Sequence, residues 1–404
     1  MRLSKAVAAA GLSVAVVCAA AQKTVEDSAA LLKRATDEFR EGFELRQSGH
    51  LQEAYEKFAD VVKLAPDLPE SHEALGAVLL ELGKPADALV ELETAQKMKP
   101  GDPGNEANLG IAYAQAGRPQ DALPFFEAAI NAARAAGQTQ VPATFYDQYA
   151  HALGAAGNLD AALATFNTEE AVDGKKADVE DAIGSVYAQQ GKWDEAAQHF
   201  QQAIALNGMY GKAWVHLGVA QREQGNAATA LTTLDAATKI PPPDANAFYE
   251  YGRTQTKLGM DDEAARAFEQ ALKLNSQMSG AQIELAMALQ RLGRQREAIP
   301  LFEKVVEREP HNTSALTNLG LALTLTGDAH AGLDYFNRVL ADGDKDVVLY
   351  KDMGVAHVQL SAFDEAIEDF EKALATAPGD PQLHYDLGLA YKFKDRLNDA
   401  AGEL

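Results

Sequence analysis

The sequence predicts an all-α fold, an α-solenoid of about eleven stacked helix–turn–helix repeats of 34 residues. Three observations predict it. First, Gly76-x6-Gly83-x4-Ala88 recurs as Gly110-x6-Gly117-x4-Ala122 at an offset of 34. Second, the frame persists. It starts at Ala35, Pro69 and Pro103, slips by six residues over 137–142, and runs unbroken from Ala143 through Ala177, Gly211, Ala245, Ser279, Thr313, Val347 and Pro381. Third, the recurring residue types are those that pack helices together and stop them.

With each repeat numbered 1 to 34, the elements follow in order. Position 8 is Gly or Ala in all eleven repeats, as in Gly76, Gly184, Gly252 and Ala286. Positions 4, 7, 8 and 11 follow helical spacing and make one face of a first helix. Position 15 is Gly in nine repeats, such as Gly49, Gly191 and Gly293. It ends that helix, because Gly accepts the left-handed conformation of a helix stop. Position 20 is Ala in ten repeats and Gly332 in the other, and position 24 is always Phe or Leu. Together with position 27 these form one face of a second helix. Small residues at 8 and 20 let the two backbones approach. The bulky residue at 24 is expected to fill space toward the next repeat. Pro at position 32 in five repeats, Pro66, Pro100, Pro242, Pro310 and Pro378, stops the second helix. Four residues depart from the pattern: Glu41 at the apolar position 7, Glu169 at the small position 27, and Gln221 and Gln255 at position 11.

The chain therefore divides as follows. Residues 1–21 read as a signal peptide: Arg2 and Lys5, an uncharged stretch from Ala6 to Ala21, and a small-x-small exit, with cleavage expected after Ala21. A periplasmic or secreted location follows from that reading. Cys18 is the only cysteine and would leave with the peptide. Residues 22–34 are expected to form a lead-in helix, 35–136 repeats 1 to 3, 137–142 an insertion, and 143–404 repeats 4 to 11. Leu404 is position 24 of the last repeat, so the pattern reads as a fragment cut off in mid-helix. Leu387 and Tyr391 are then expected to lie partly uncovered. No later stretch is long and apolar enough to span a bilayer of about 20 helical residues, so the mature chain is expected to carry no integral membrane span.

This repeat resembles the tetratricopeptide repeat (TPR) family, over residues 35 to 404. The resemblance implies a right-handed superhelix whose concave wall holds peptide segments of partners. Two subfamilies have named inner residues. The chaperone-tail clamp wants Lys at position 5 with Asn at 9, and here only Lys351 fits position 5, with Val355 at its position 9. Sugar-transferase arrays repeat Asn at position 6, and here only Asn108 and Asn318 do so.

Charge and chemistry narrow the function. Thirty-six Lys and Arg against 59 Asp and Glu give a net charge of −23, which disfavours nucleic acid as a partner. His72-Glu73 lacks the second His of a zinc helix, and Gly83-Lys84-Pro85 lacks the rest of a phosphate loop. Asp342, Asp344 and Asp346 imitate the start of a calcium loop, but Val347 and Met353 stand where Gly and Glu are required. His357 at position 11 reads as a core histidine. No catalytic residue, metal site or cofactor is expected.

The working surface is then the side of the first helix opposite the core. At about 100° per residue, positions 2, 5, 9, 12 and 13 cluster there. They are acidic early in the chain, with Glu70, Glu73, Glu81, Asp147, Asp178 and Asp181. They turn basic at Lys212, Arg222, Arg253, Lys257 and Arg291, with Tyr249 among them. They end apolar at Leu321, Leu325, Val348, Val355 and Val358. Lys212, Arg222, Tyr249, Arg253, Lys257 and Arg291 are the candidate partner-binding residues, expected to grip an acidic or carboxylate-ended segment. The expected function is a non-enzymatic, exported interaction scaffold, in envelope complex assembly for example. The alternative is the docking arm of an enzyme, such as a glycosyltransferase, whose catalytic part is absent from this chain.

Overall fold

A computed structural model describes residues 25–136 and 142–403. The signal peptide, its cleavage point, Cys18 and most of the 137–142 insertion lie outside the described residues. Among the described residues there are 22 helices and no strand, arranged as an all-α solenoid. The expected lead-in helix is not separate. It is the first part of one continuous helix, Val25–Gln47, that carries the first half of repeat 1.

The chain forms two compact units, Met1–Lys192 and Trp193–Leu404. Each is built from the same hairpin. In repeat 7, for instance, the first helix is Ala245–Lys257 and the second is Asp261–Leu274. First helices begin at a recurrent cap. Asp102, Asp244, Asn312 and Asp380, all at position 34 of the preceding repeat, accept bonds from backbone N–H groups of the helix that follows. The turn between the helices is set by position 15. All nine glycines there have positive φ, from 68° at Gly83 to 100° at Gly327. The two repeats without Gly keep the same geometry: Ser361 and Asp395 take φ of 59° and 56°, the two positive values at residues other than Gly among the described residues. The stacking of the hairpins demands that turn even where the residue disfavours it.

Packing inside the hairpin explains positions 8 and 24. A Cβ placed on Gly252 would lie 2.7 Å from Phe268, one on Gly320 2.6 Å from Phe336, and one on Gly354 2.5 Å from Phe370. The aromatic ring therefore lies first on the glycine of its own repeat, which corrects the expectation that it serves chiefly the next one. It does both at Phe126, which is edge-on to Phe145 of the following repeat at 5.2 Å. Seven of these phenylalanines are fully buried and carry much of the core. Gly332, the exception at position 20, is also accounted for: its Cβ would meet Thr324 Oγ1 at 2.3 Å. The two first-helix positions 3 and 10 are core as well, as at Leu349 and Ala356.

Glu41 is tolerated at position 7 because it stays exposed and pairs with Lys57 Nζ at 2.9 Å. Leu387 and Tyr391 are buried, not partly uncovered, because the short helix Leu397–Glu403 packs over their helix. Tyr391 also donates to Glu371 at 2.7 Å.

Candidate functional site

The exposed face of the first helices is narrower than the wheel predicts. Positions 2 and 13 are the open ones, as at Lys212, Asn246, Lys257 and Arg291. Positions 5, 9 and 12 are largely half-buried or buried, because first helices of successive repeats also touch each other. Val215 at position 5 and Arg222 at position 12 are both buried.

In the second compact unit five of the six candidate residues fall into three groups. Lys212 is exposed on the first turn of its helix. Tyr249, Arg253 and Lys257 share one helix. Arg253 lies over the Tyr249 ring at 5.7 Å and pairs with Glu250 at 3.3 Å. The Tyr249 hydroxyl is pushed above its ordinary pKa by burial, with Arg253 opposing. Lys257 Nζ donates to the Arg222 carbonyl at 3.3 Å and stays exposed. Arg291 stands further along, paired with Asp261 at 2.6 Å and still partly open.

Arg222 is the correction. Its side chain is 5% exposed, and its Nη1 donates to Glu250 Oε2 at 2.7 Å and to Thr254 Oγ1 at 3.3 Å. A guanidinium held this way neutralises a buried carboxylate and is not available to a partner. The arrangement shows a rule of the stack: position 12 of one repeat meets position 6 of the next. Gln290 and Asn318 repeat it, the Gln290 amide donating to the Asn318 carbonyl at 3.1 Å.

Position 6 is what sequence reasoning missed. It carries Glu250, Glu284, Asn318, Asp352 and Asp386 in consecutive repeats. Only the asparagines drew notice, so the carboxylates between and around them went unread. Asp352 is 4% exposed, and its Oδ2 has no hydrogen-bond partner. Burial pushes its pKa up to about 6, with the adjacent Lys351 ammonium acting in the opposite direction. The apolar run lies around it, with Leu325 and Val348 each 50% exposed.

The first compact unit presents carboxylates to carboxylates. Glu73 is pushed up to about 7 by burial and then by Asp102. Glu169 reaches about 7 by burial and then by Asp147, and its Oε2 has no hydrogen-bond partner. His151 is raised by its hydrogen bond to Asp147, whose carboxylate lies 3.2 Å away. His357 is half-buried and bonded to the buried Asp369 at 2.8 Å. Asp342, first of the calcium-like aspartates, is bonded to His311 at 2.9 Å. Among the described residues no group of three or more His, Cys, Asp or Glu is arranged to hold a metal ion. No described helix is long and apolar enough to cross a membrane.

Comparison with known proteins agrees with the repeat geometry. Tetratricopeptide repeat family models match residues 39–103, 107–139, 182–245, 245–278, 283–347 and 351–404. No curated protein sequence matches. Among solved structures, YrrB, described as a TPR protein with an unusual peptide-binding site, is 23% identical over 46% of this chain and 96% of its own, with a TM-score of 0.42. MamA from Desulfovibrio magneticus RS-1 is 23% identical over 39% of this chain and 90% of its own, at 0.37. The Cut9–Hcn1 hetero-tetramer of the APC/C gives 13% identity over 92% of both chains, at 0.47. With the repeat models covering well over half of its residues, the chain belongs to the tetratricopeptide repeat family.

Proposed function

We propose that this protein is an exported, non-catalytic scaffold that holds extended segments of partner proteins along the inner faces of its second compact unit. As an array of tetratricopeptide repeats it is a protein-interaction scaffold. The observation that supports the finer reading is the neighbourhood of Tyr249. Lys212, Arg253, Lys257 and Arg291 leave part or all of their side chains open on helix faces of a chain whose net charge is −23. Cations kept open against that background favour an acidic or carboxylate-ended segment. The partly exposed Leu325 and Val348 follow in the next repeats and suit its apolar side chains. Export rests on the basic and apolar pattern of residues 1–21, and an envelope assembly is the setting that reading favours.

The test uses Lys212 and Lys257, exposed cations that, unlike Arg222, Arg253 and Arg291, are not engaged with the carboxylates named above. Lys212→Glu with Lys257→Glu should abolish capture of partners from the exported fraction, with the thermal midpoint unchanged. Undiminished capture overturns the reading. Mass spectrometry of the mature N-terminus checks export separately, with Gln22 expected as the first residue.

A further inference from the structure

The stack compares itself with itself at position 6. In repeat 7 that position is Glu250, and three neighbours complete its surroundings. Arg222 comes from position 12 of the preceding repeat, Arg253 from position 9 of the same helix, and Thr254 from position 10. Two guanidinium groups therefore reach one buried carboxylate, the nearer at 2.7 Å. In repeat 10 the same register places Asp352 at position 6, Thr324 at position 12 of the preceding repeat, and Val355 and Ala356 at positions 9 and 10. Thr324 is buried and has its hydroxyl turned to the Gly320 carbonyl at 2.9 Å. Valine and alanine offer no donor. Asp352 is thus an equivalent carboxylate, nine-tenths and more buried, whose Oδ2 meets no donor in the protein. Lys351 is near enough to act on it electrostatically, yet makes no hydrogen bond to that oxygen.

Burying a carboxylate without a donor costs free energy. The other repeat shows which group satisfies a carboxylate in this place: an arginine guanidinium, there supplied by the preceding repeat. We propose that Asp352 receives one cationic side chain, an arginine or lysine, from a segment bound along repeats 9 to 11. Val348, one turn earlier on the same helix, and Leu325, next to Thr324, are both half exposed and would lie against the methylene stem of that side chain. Asp386 at position 6 of repeat 11 adds a second negative charge on the same row. The proposal rests on the reading of the inner face as a segment-binding surface. It extends that reading by giving the segment a basic residue beside the apolar stretch, in addition to an acidic portion over Arg253 and Lys257.

The test is a carboxyl NMR titration of the full chain labelled at aspartate, with Asp352→Asn used to assign the resonance. The probes are N-acetylarginine methylamide and its neutral counterpart, N-acetylnorleucine methylamide. The arginine probe should shift the Asp352 carboxyl saturably and bind about tenfold more tightly than the norleucine probe. Asp352→Asn should lose that difference while melting no lower than the native chain. The Lys212→Glu, Lys257→Glu variant should keep it, so a failure of the basic-stripe reading leaves this result standing. An Asp352 resonance that responds equally to both probes, or to neither, overturns the proposal, since a water molecule then suffices for that oxygen. So does an arginine preference that persists in Asp352→Asn.

Discussion

The two compact units surround the carboxylates Glu250, Glu73 and Glu169 differently. In the second, Glu250 is buried against Arg222 and Arg253, so its charge is met inside the protein. In the first, Glu73 is half-buried beside Asp102 and Glu169 is buried beside Asp147, and the pKa of each is pushed up to about 7. One hairpin fold thus accommodates both a carboxylate met by cations, at Glu250, and carboxylates raised by burial beside other carboxylates, at Glu73 and Glu169. What differs is the partner, not the shape of the hairpin: the preceding repeat supplies Arg222 to Glu250, whereas Asp102 and Asp147 come from the same repeats as Glu73 and Glu169. Burial disfavours a carboxylate's charged form, and only a nearby cation reverses that.

The largest expected effect breaks the compensated half. Arg222→Met leaves Glu250 buried without its main partner and should cost about 3–5 kcal/mol in denaturant unfolding. Arg222→Met with Glu250→Leu should recover most of that loss, because both charges are then gone. A double variant as unstable as the single would show that Arg222 acts through packing instead.

A second contrast tests the hairpin shared by both halves. Gly252→Ala puts a Cβ 2.7 Å from Phe268 and should cost about 1–3 kcal/mol. Gly154→Ala in the first unit, a control at position 12, meets nothing nearer than Val186 at 3.9 Å and should be neutral or stabilising by up to about 1 kcal/mol. Equal losses at the two sites would refute the account of position 8.

The uncompensated half predicts a pH dependence. Glu73 and Glu169 titrate near 7 in the folded chain and near the ordinary 4.5 when unfolded. The folded chain therefore holds more protons between those values. Stability falls as pH rises from about 4.5 to about 7 and then levels off. Glu169→Gln should flatten part of this slope and raise stability at pH 8 by roughly 1–2 kcal/mol. Urea midpoints measured from pH 5 to pH 8 check it, and a wild-type chain that gains stability across that range contradicts the assignment.

The smallest effect concerns the two left-handed turns made without glycine. Ser361→Gly and Asp395→Gly relieve positive φ and should each add about 0.5–1 kcal/mol. A loss at either position would mean that its side chain contributes to the turn.

Much of the fold was legible from residues alone. Gly at position 15, Ala at 20 and Phe or Leu at 24 recur in phase, and each reports a local demand: a left-handed turn, a close helix crossing, a buried ring. The candidate surface was less legible. Lys212, Lys257 and Arg291 stand open as their positions on the wheel require. Arg222 carries the same charge at an equally plausible position and is consumed by Glu250. A helical wheel treats each helix as if it had one neighbour, but these first helices also pack against first helices on either side. Asp352 escaped notice for the same reason. The residue in register with it on the preceding repeat is Thr324, 28 residues earlier, and nothing adjacent in sequence marks Asp352 as buried.

By itself the sequence determined the repeat length, the helix pairs, their stops and the small-against-large packing of each hairpin. All of these depend on residues within one 34-residue span, where spacing along the chain translates directly into a helix face. The tertiary structure alone decided which charges are free, which are paired and which carboxylates keep a proton. Those properties depend on burial and on partners brought together from other helices, as Arg222 is to Glu250 and Asp147 to Glu169, and both exist only once the helices are packed.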